Sequence, residues 1–323
     1  MTSKINNRIP ALIRFASAIT ALNIAGYFYL GFEQSYANVV VALLTGYSVE
    51  LLIETIRAKI EKREPKYKKG FKNLAIFLLP AHISSLAVSM LIFTNENLMG
   101  VVFGVTVALL SKVIFQVKIN GRLRHFLNPS NTGIAVTFLV FPWVGSAPPY
   151  HFSEATTGYA DWVLILIFVG LGTFLNAKYT KKIPLILAWL VVFFLQAVIR
   201  TSIFGTDTLA ALGPMTGVAF LLFTFYMVSD PSTTPIKKRN QIIFGTSVAA
   251  VYGILMELHI VFDLFFSLLI VCSLRGTYYW ITELLANIRN SNKEQTIIKR
   301  QDETKEEVII NSKERQPQEV VLN

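Results

Sequence analysis

The chain has 323 residues, of which 53% are hydrophobic and only 15% are charged, and its formal net charge is +10. This composition is too apolar for a soluble protein of this length and excludes a pair of soluble domains. The single cysteine, Cys272, excludes a disulfide framework, and we expect no haem, iron–sulfur cluster or other metal site built by this chain alone. The composition predicts an all-α, polytopic membrane protein.

Residues 1–288 contain recurring apolar segments that are long enough to cross a bilayer. They predict a transmembrane helical bundle of about ten spans. The predicted spans lie near 12–31, 37–56, 73–93, 98–117, 131–147, 161–177, 183–204, 213–229, 241–256 and 262–284. Residues 289–323 are polar and lack aromatic side chains, which predicts a disordered cytoplasmic tail.

Lys and Arg residues are concentrated in alternate loops between these spans. The basic loops are 57–72, 118–124, 178–182 and 237–239, and the loops between them carry acidic residues instead. Because short cytoplasmic loops collect basic residues, both termini are predicted to be cytoplasmic. Membrane insertion and anionic lipid head groups then explain the positive charge, so the expected partner is the lipid bilayer and not nucleic acid.

Ionisable side chains inside the predicted spans are candidates for function because they are costly to bury in lipid. Glu50 and Glu54 lie one helical turn apart in the second span, and Lys112 lies at a similar depth in the fourth. One interpretation is that Glu50 and Lys112 pair along a path for an ion or a solute. The alternative is that these side chains extend to the membrane interface, with Glu54 meeting Arg57.

His82 follows Pro80 midway through the third span, where a proline removes a backbone hydrogen bond and can break the helix. A broken helix with a polar side chain would indicate a cavity, which would place His82 on the same path as Glu50 and Lys112. The alternative is a kinked structural helix with a hydrogen-bonded histidine.

A helix start rich in polar groups opens the fifth span. Asn128 is a preferred N-cap and Pro129 suits the first helical position, so a helix should begin sharply there. Arg124 lies just before this start. A helix N-terminus beside arginine suits an anion such as a phosphate or carboxylate, although a plain helix start would also favour Asn-Pro.

A second proline motif, residues 228–235, follows the eighth span. Asp230 and Thr234 each precede a proline, which predicts a rigid turn at the same surface as Asn128. We expect the two motifs to meet near the cytoplasmic surface. Neither contains a P-loop, a dinucleotide-binding fingerprint or a nucleophile–base pair, so spacing alone predicts no reaction.

The two motifs together resemble a family of membrane proteins. Residues 127–133 resemble the Phe-Asn-Pro-Ala-x-x-Gly signature of the RnfD/NqrB family, whose members are membrane subunits of the Rnf electron-transport complex and of the sodium-translocating NADH:quinone reductase. Residues 227–235, followed by Phe244 and Gly245, resemble the Ala-Thr-Asp-Pro-Val-Thr-x-Pro block of that family. The resemblance covers roughly residues 70–285 and is closest to a divergent branch associated with enediyne biosynthesis.

The resemblance implies a flavoprotein subunit that relays electrons to other membrane subunits of an electron-transport complex, with coupled ion transport, and that is not an autonomous enzyme. It implies flavin mononucleotide (FMN) attached through phosphate to an outer-loop threonine, which is Thr156 in the similar stretch 153–156. It also implies riboflavin as a further cofactor and the inner membrane of a bacterium as the location. The residues expected to contact a cofactor at the inner motifs are Arg124, Asn128, Pro129, Asp230 and Thr234.

Two other hypotheses stay open at this point. A redox-inactive paralogue could act as a carrier or export helper, with Glu50, Lys112 and His82 lining a solute path. A membrane anchor would instead recruit partners through its inner loops and tail. Bound flavin would distinguish the first hypothesis from the other two.

Overall fold

The computed structural model describes residues 8–314 except 69, 96, 120, 149–151, 153, 154 and 156. Most of these residues are helical, which confirms the helical class. The helices are α1 (Arg8–Ala25), α2 (Tyr36–Ile60), α3 (Phe71–Leu91), α4 (Met99–Ile114), α5 (Pro129–Val140), α6 (Tyr159–Leu175), α7 (Ile183–Phe204), α8 (Thr208–Leu212), α9 (Val218–Leu222), α10 (Lys238–Glu257) and α11 (Asp263–Glu314). In the described part of the chain, two short antiparallel strand pairs join β1 (Ile92–Phe93) to β4 (Gly145–Ser146) and β2 (Gln116–Ile119) to β3 (Arg122–His125).

Within the described residues, four helices are long and apolar enough to cross a membrane, namely α2, α3, α7 and the part of α11 from Asp263 to Arg289. A fifth candidate is the pair Thr208–Thr216 and Val218–Met227, which is bent by 68°. Large apolar side chains such as Leu44 and Leu166 are exposed on the helix surfaces, at 62% and 67%. Such a surface suits lipid and not water, so the predicted membrane character is confirmed.

Two predicted spans differ from the helices that overlap them. Residues 131–147 were expected to form one span, but α5 ends at Val140 because Phe141 precedes Pro142, and a residue before proline avoids the helical conformation. With 12 residues, α5 is only about 18 Å long. The segment 213–229 is bent at Gly217 and finishes in a π-helical turn, Phe223–Met227, so it does not form one straight helix.

The polar segment from 289 onwards is helical over its described part, and its assignment as a disordered cytoplasmic tail stays a prediction. Its backbone continues α11 as far as Glu314. No glycine or proline occurs from 277 to 316, and the segment is rich in Lys, Glu, Gln and Arg, which all favour helix. Residues 315–323 lie outside the described part of the chain.

Helices α1–α5 pack against one another, and α6–α11 form a second group. The groups meet where α5 packs against α11. The side-chain amide of Asn131 donates to the carbonyl of Phe265 at 2.9 Å, and Phe138 stacks on Phe262 with ring centroids 4.0 Å apart. Sequence-distant segments are thereby brought together along α5.

Close helix packing depends on small residues within the first group. A Cβ atom at Gly133 of α5 would overlap the carbonyl oxygen of Gly104 in α4 and crowd the Cβ of Ala108. Glycine at position 133 therefore fixes the distance between the two helices. In the second group the core is aromatic instead: Trp189 is fully buried and donates from Nε1 to the Thr224 hydroxyl at 3.0 Å.

Candidate functional site

The two proline motifs contact each other. The Asn128 side chain accepts a hydrogen bond from the Asn131 N–H at 3.1 Å, as an N-cap should, and Pro129 is the first residue of α5. The side-chain amide nitrogen of Asn128 also donates to the carbonyl of Met227, directly before the second motif, at 3.1 Å. One buried amide therefore both starts α5 and holds the second motif against it.

The second motif is a turn closed by its own side chains. The Asp230 carboxylate accepts from the Ser232 N–H at 3.0 Å and from the Thr233 hydroxyl at 2.9 Å. The Thr234 hydroxyl donates to the Asp230 carbonyl. Asp230 and Thr234 therefore use these polar groups within the turn, as turn chemistry alone would require.

Two basic side chains donate hydrogen bonds to backbone carbonyls of this turn. Arg275 of α11 donates to the Thr233 carbonyl, and Lys182 donates to the Pro235 carbonyl at 2.6 Å. Sequence reasoning assigned Lys182 only to a basic loop, yet it is 2% exposed. The one indication in the sequence is its place directly before the start of α7.

Burial lowers the pKa of Lys182 to about 8, and the positive charges of Arg275 and Arg124 act in the same direction, whereas Asp230 opposes them. Asp230 thus has several cationic neighbours at this place.

We call the end of the bundle formed by residues 116–128, 178–182 and 227–239 the basic end. The hairpin β2–β3 and both proline motifs belong to it.

The start of α5 leaves few donors for an anion. Pro129 has no N–H, and the N–H groups of Asn131 and Thr132 bond to Asn128, so the first turn is largely satisfied. The Arg124 side chain has no hydrogen bond or ion pair within the described residues. Of the residues predicted for an anion or cofactor at this end, Arg124 is therefore the one whose charged group is available.

A cavity of about 210 Å³ lies beside the start of α5, between α5, α11 and the two residues that flank the β2–β3 hairpin, Phe115 and Phe126. It was not predicted from the sequence, because its walls come from three separate segments. The lining residues are Phe115, Phe126, Leu127, Thr132, Val136, Leu269, Ser273, Thr277 and Trp280. Aromatic rings and apolar side chains form most of the wall, and hydroxyl groups provide the polar part.

The aromatic walls are held in place. Trp280 donates from Nε1 to the Gln116 carbonyl at 2.7 Å, and its ring lies edge-to-face with Phe126 at 5.0 Å. Ser273 and Thr277 lie one turn apart on α11, and neither hydroxyl has a hydrogen-bond partner within the described part of the chain. The cavity therefore combines fixed rings with two available hydroxyl groups.

The structure also brings together the ionisable residues of the predicted path. Lys112 of α4 lies 3.8 Å from the Glu50 carboxylate of α2 and donates to the Pro80 carbonyl of α3 at 3.3 Å. Glu54, which was expected to meet Arg57, pairs instead with Arg63. The chain reverses after α2 through a residue of positive φ at position 62, which returns position 63 towards the helix.

His82 is hydrogen-bonded on both ring nitrogens. Nδ1 lies 2.7 Å from the Tyr47 hydroxyl and Nε2 lies 2.7 Å from the Thr20 hydroxyl. Helix α3 continues through Pro80 without a break. This matches the alternative of a structural, hydrogen-bonded histidine that links α1, α2 and α3.

Thr156, the expected attachment point for FMN, lies outside the described residues. Of the residues near it in the sequence, Phe152 and Ala155 are described, and both contact the segment that ends the first helix. Phe152 is 1% exposed and packs edge-to-face on Phe32, and the Ala155 N–H donates to the Leu30 carbonyl at 3.4 Å.

Comparison of the sequence with models of protein families and with curated proteins finds no match. The family resemblance therefore rests on the two proline motifs themselves. The hydrogen bond from Asn128 to Met227 joins those motifs, and the family itself stays a prediction.

Proposed function

We propose that this chain is an integral membrane subunit of an Rnf/Nqr-like electron-transport system, with about ten spans and both termini on the cytoplasmic side of a bacterial inner membrane. The observation that carries the proposal is the contact between the two proline motifs through Asn128, directly beside the aromatic cavity. Partner subunits would supply and remove the electrons.

The cavity suits the ring system of a flavin held without a covalent bond. A bound flavin would supply one- and two-electron transfer. Phe126 and Trp280 offer aromatic contact, and the Ser273 and Thr277 hydroxyls can hydrogen-bond the ring's carbonyl and nitrogen atoms. Leu269 and its apolar neighbours would contact the apolar part of the ring. Thr156, which lies outside the described residues, is not among the lining residues.

Titration of purified protein with riboflavin and with FMN tests the proposal. We expect Thr277→Val to weaken flavin binding about tenfold, because one lost hydrogen bond is worth about 1.4 kcal/mol. Trp280→Leu should weaken it further through lost ring contact. Thr282→Val removes a hydroxyl from the same helix outside the cavity and should leave binding unchanged. Absence of flavin binding to the unmodified protein would refute the proposal.

A second candidate function is that of a carrier, and one observation favours it. The Glu50–Lys112 pair is largely buried between α2 and α4, with side-chain exposures of 19% and 16%. Buried ionisable groups in membrane helices commonly mark an ion or solute path. Flux in proteoliposomes without a redox donor, abolished by Glu50→Gln, would support this function. Absence of both flavin binding and flux would leave the membrane-anchor hypothesis.

A further inference from the structure

The two groups of helices share an unusual local geometry. Helices α1 and α6 each end in a five-residue π-helical turn, Gly26–Leu30 and Asn176–Thr180. The residue after each turn adopts the left-handed conformation. The residue that follows is Phe32 in the first group and Lys182 in the second. Its backbone N–H donates at 3.0 Å to the carbonyl of the first residue of the π turn. Two such matching ends indicate an internal repeat.

A buried ion pair occupies the same place in each repeat. Glu50 lies as many residues after Gly26 as Arg200 lies after Asn176. Glu50 of α2 pairs with Lys112 of α4, and Arg200 of α7 pairs with Glu257 of α10. Counting the bent α8–α9 segment as one element, each pair joins the second and fourth elements of its group. The signs of the charges are exchanged between the two pairs.

The two pairs lie towards opposite ends of the bundle. Lys112 belongs to the last turn of α4, which leads directly into β2 at the basic end. Helix α10 starts at the basic end, and Glu257 is its last residue, about 30 Å away along 20 residues. The Glu50–Lys112 pair therefore belongs to the basic end, and the Arg200–Glu257 pair to the opposite end.

Unused hydrogen-bonding groups lie beside the second pair. Arg200 is 8% exposed, and its Nη1 atom has no partner among the described residues. Gln196, one turn deeper on α7 and 7% exposed, has neither amide atom bonded. It packs directly against Gly253 of α10, where a Cβ atom would lie 3.2 Å from the Gln196 side chain. Buried polar groups without partners are costly unless another state of the protein satisfies them.

We propose that Arg200 and Glu257 form a gate at the end opposite the basic end and that Glu50 and Lys112 form its counterpart at the basic end. This inference rests on the carrier function proposed above. In inverted repeats, the two halves can exchange conformations, so that a path opens first to one face and then to the other. Opening the second gate would expose the Gln196 amide together with a carboxylate and a guanidinium. Such a lining suits a small hydrophilic solute.

Thiol labelling from each side of the membrane tests the two gates. In a Cys272→Ser background, labelling of Gln196→Cys reports opening of the Arg200–Glu257 gate. Labelling of Ser85→Cys reports opening of the Glu50–Lys112 gate, since Ser85 is fully buried on α3 against Gly46 of α2. An impermeant thiol reagent is applied to right-side-out and to inside-out vesicles.

We expect Glu257→Gln to raise labelling of Gln196→Cys about tenfold from the outside only. Glu50→Gln should raise labelling of Ser85→Cys by a similar factor from the inside only. The double variant Arg200→Glu with Glu257→Arg should restore protection. Glu61→Gln, which breaks an exposed ion pair with Arg63, should change neither reporter.

Equal labelling from both faces, or no change in either reporter, would overturn the gates. Solute flux measured in proteoliposomes from the same samples distinguishes failure of the gates from failure of the carrier function. Flux without one-sided labelling would refute the gates while leaving a carrier. One-sided labelling without flux would support the two gates and remove the transport function.

Discussion

Replacing Asn128 by alanine should destabilise the protein by about 2 kcal/mol, because the side chain serves two helices. Loss of the cap on the Asn131 N–H costs about 1 kcal/mol. Loss of the bond to the Met227 carbonyl adds about 1 kcal/mol. The second cost stays moderate because this carbonyl keeps a bond from the Asp230 N–H at 3.3 Å.

The native cysteine provides the assay. Cys272 is the single cysteine of the chain and is 1% exposed, so a thiol-reactive dye reports unfolding in detergent. Asn128→Ser retains a cap acceptor but cannot reach Met227, and it should lose about half as much stability as Asn128→Ala. Ser35→Ala removes a cap alone, at the start of α2, and should cost about 1 kcal/mol.

The expected order of unfolding midpoints is therefore native protein first, then Asn128→Ser, then Asn128→Ala. A serine variant as stable as the native protein would show that the bond to Met227 contributes nothing. Equal stability of the serine and alanine variants would show that the cap contributes nothing. Either result would refute the double role of Asn128.

Three further predictions follow from packing, charge and topology. Gly133→Ala should cost about 1–3 kcal/mol through overlap with α4, whereas Gly170→Ala, with open space around it, should be tolerated in the same unfolding assay. Burial lowers the pKa of Lys182 in the folded protein to about 8. As the pH rises, the folded protein therefore loses the proton of the Lys182 ammonium group before the unfolded chain does. The stability of the native protein relative to Lys182→Gln should therefore rise with pH through about 8, and a fall would contradict this sign. In a cysteine-free background, cysteine at Lys66 should resist an impermeant thiol reagent in intact cells and cysteine at Ser146 should react; labelling at Lys66 would reverse the orientation.

Local features of the chain could be predicted from the sequence because their causes are local. The N-cap at Asn128 and the turn at Asp230 depend on residues within a few positions of each other. The membrane character likewise follows from apolar runs within single helices.

Long-range partners could not be predicted in the same way. One of the two interpretations of the sequence paired Glu54 with Arg57, but the reversal of the chain after α2 brings Arg63 to it instead. Arg200 pairs with Glu257, which is distant in the sequence and comes close only through the packing of α7 on α10. The aromatic cavity has the same origin, since Phe115, Trp280 and the start of α5 meet only in the fold.

The most direct test of the electron-transport proposal is the absorption spectrum of the purified native chain, from about 350 to 500 nm. We expect the two absorption bands of a flavin, which denaturation should release if the cofactor sits in the cavity and retain if the cofactor is attached at Thr156. A spectrum without these bands, in protein purified from cells that make flavin and unchanged after incubation with riboflavin or FMN, would contradict the central claim.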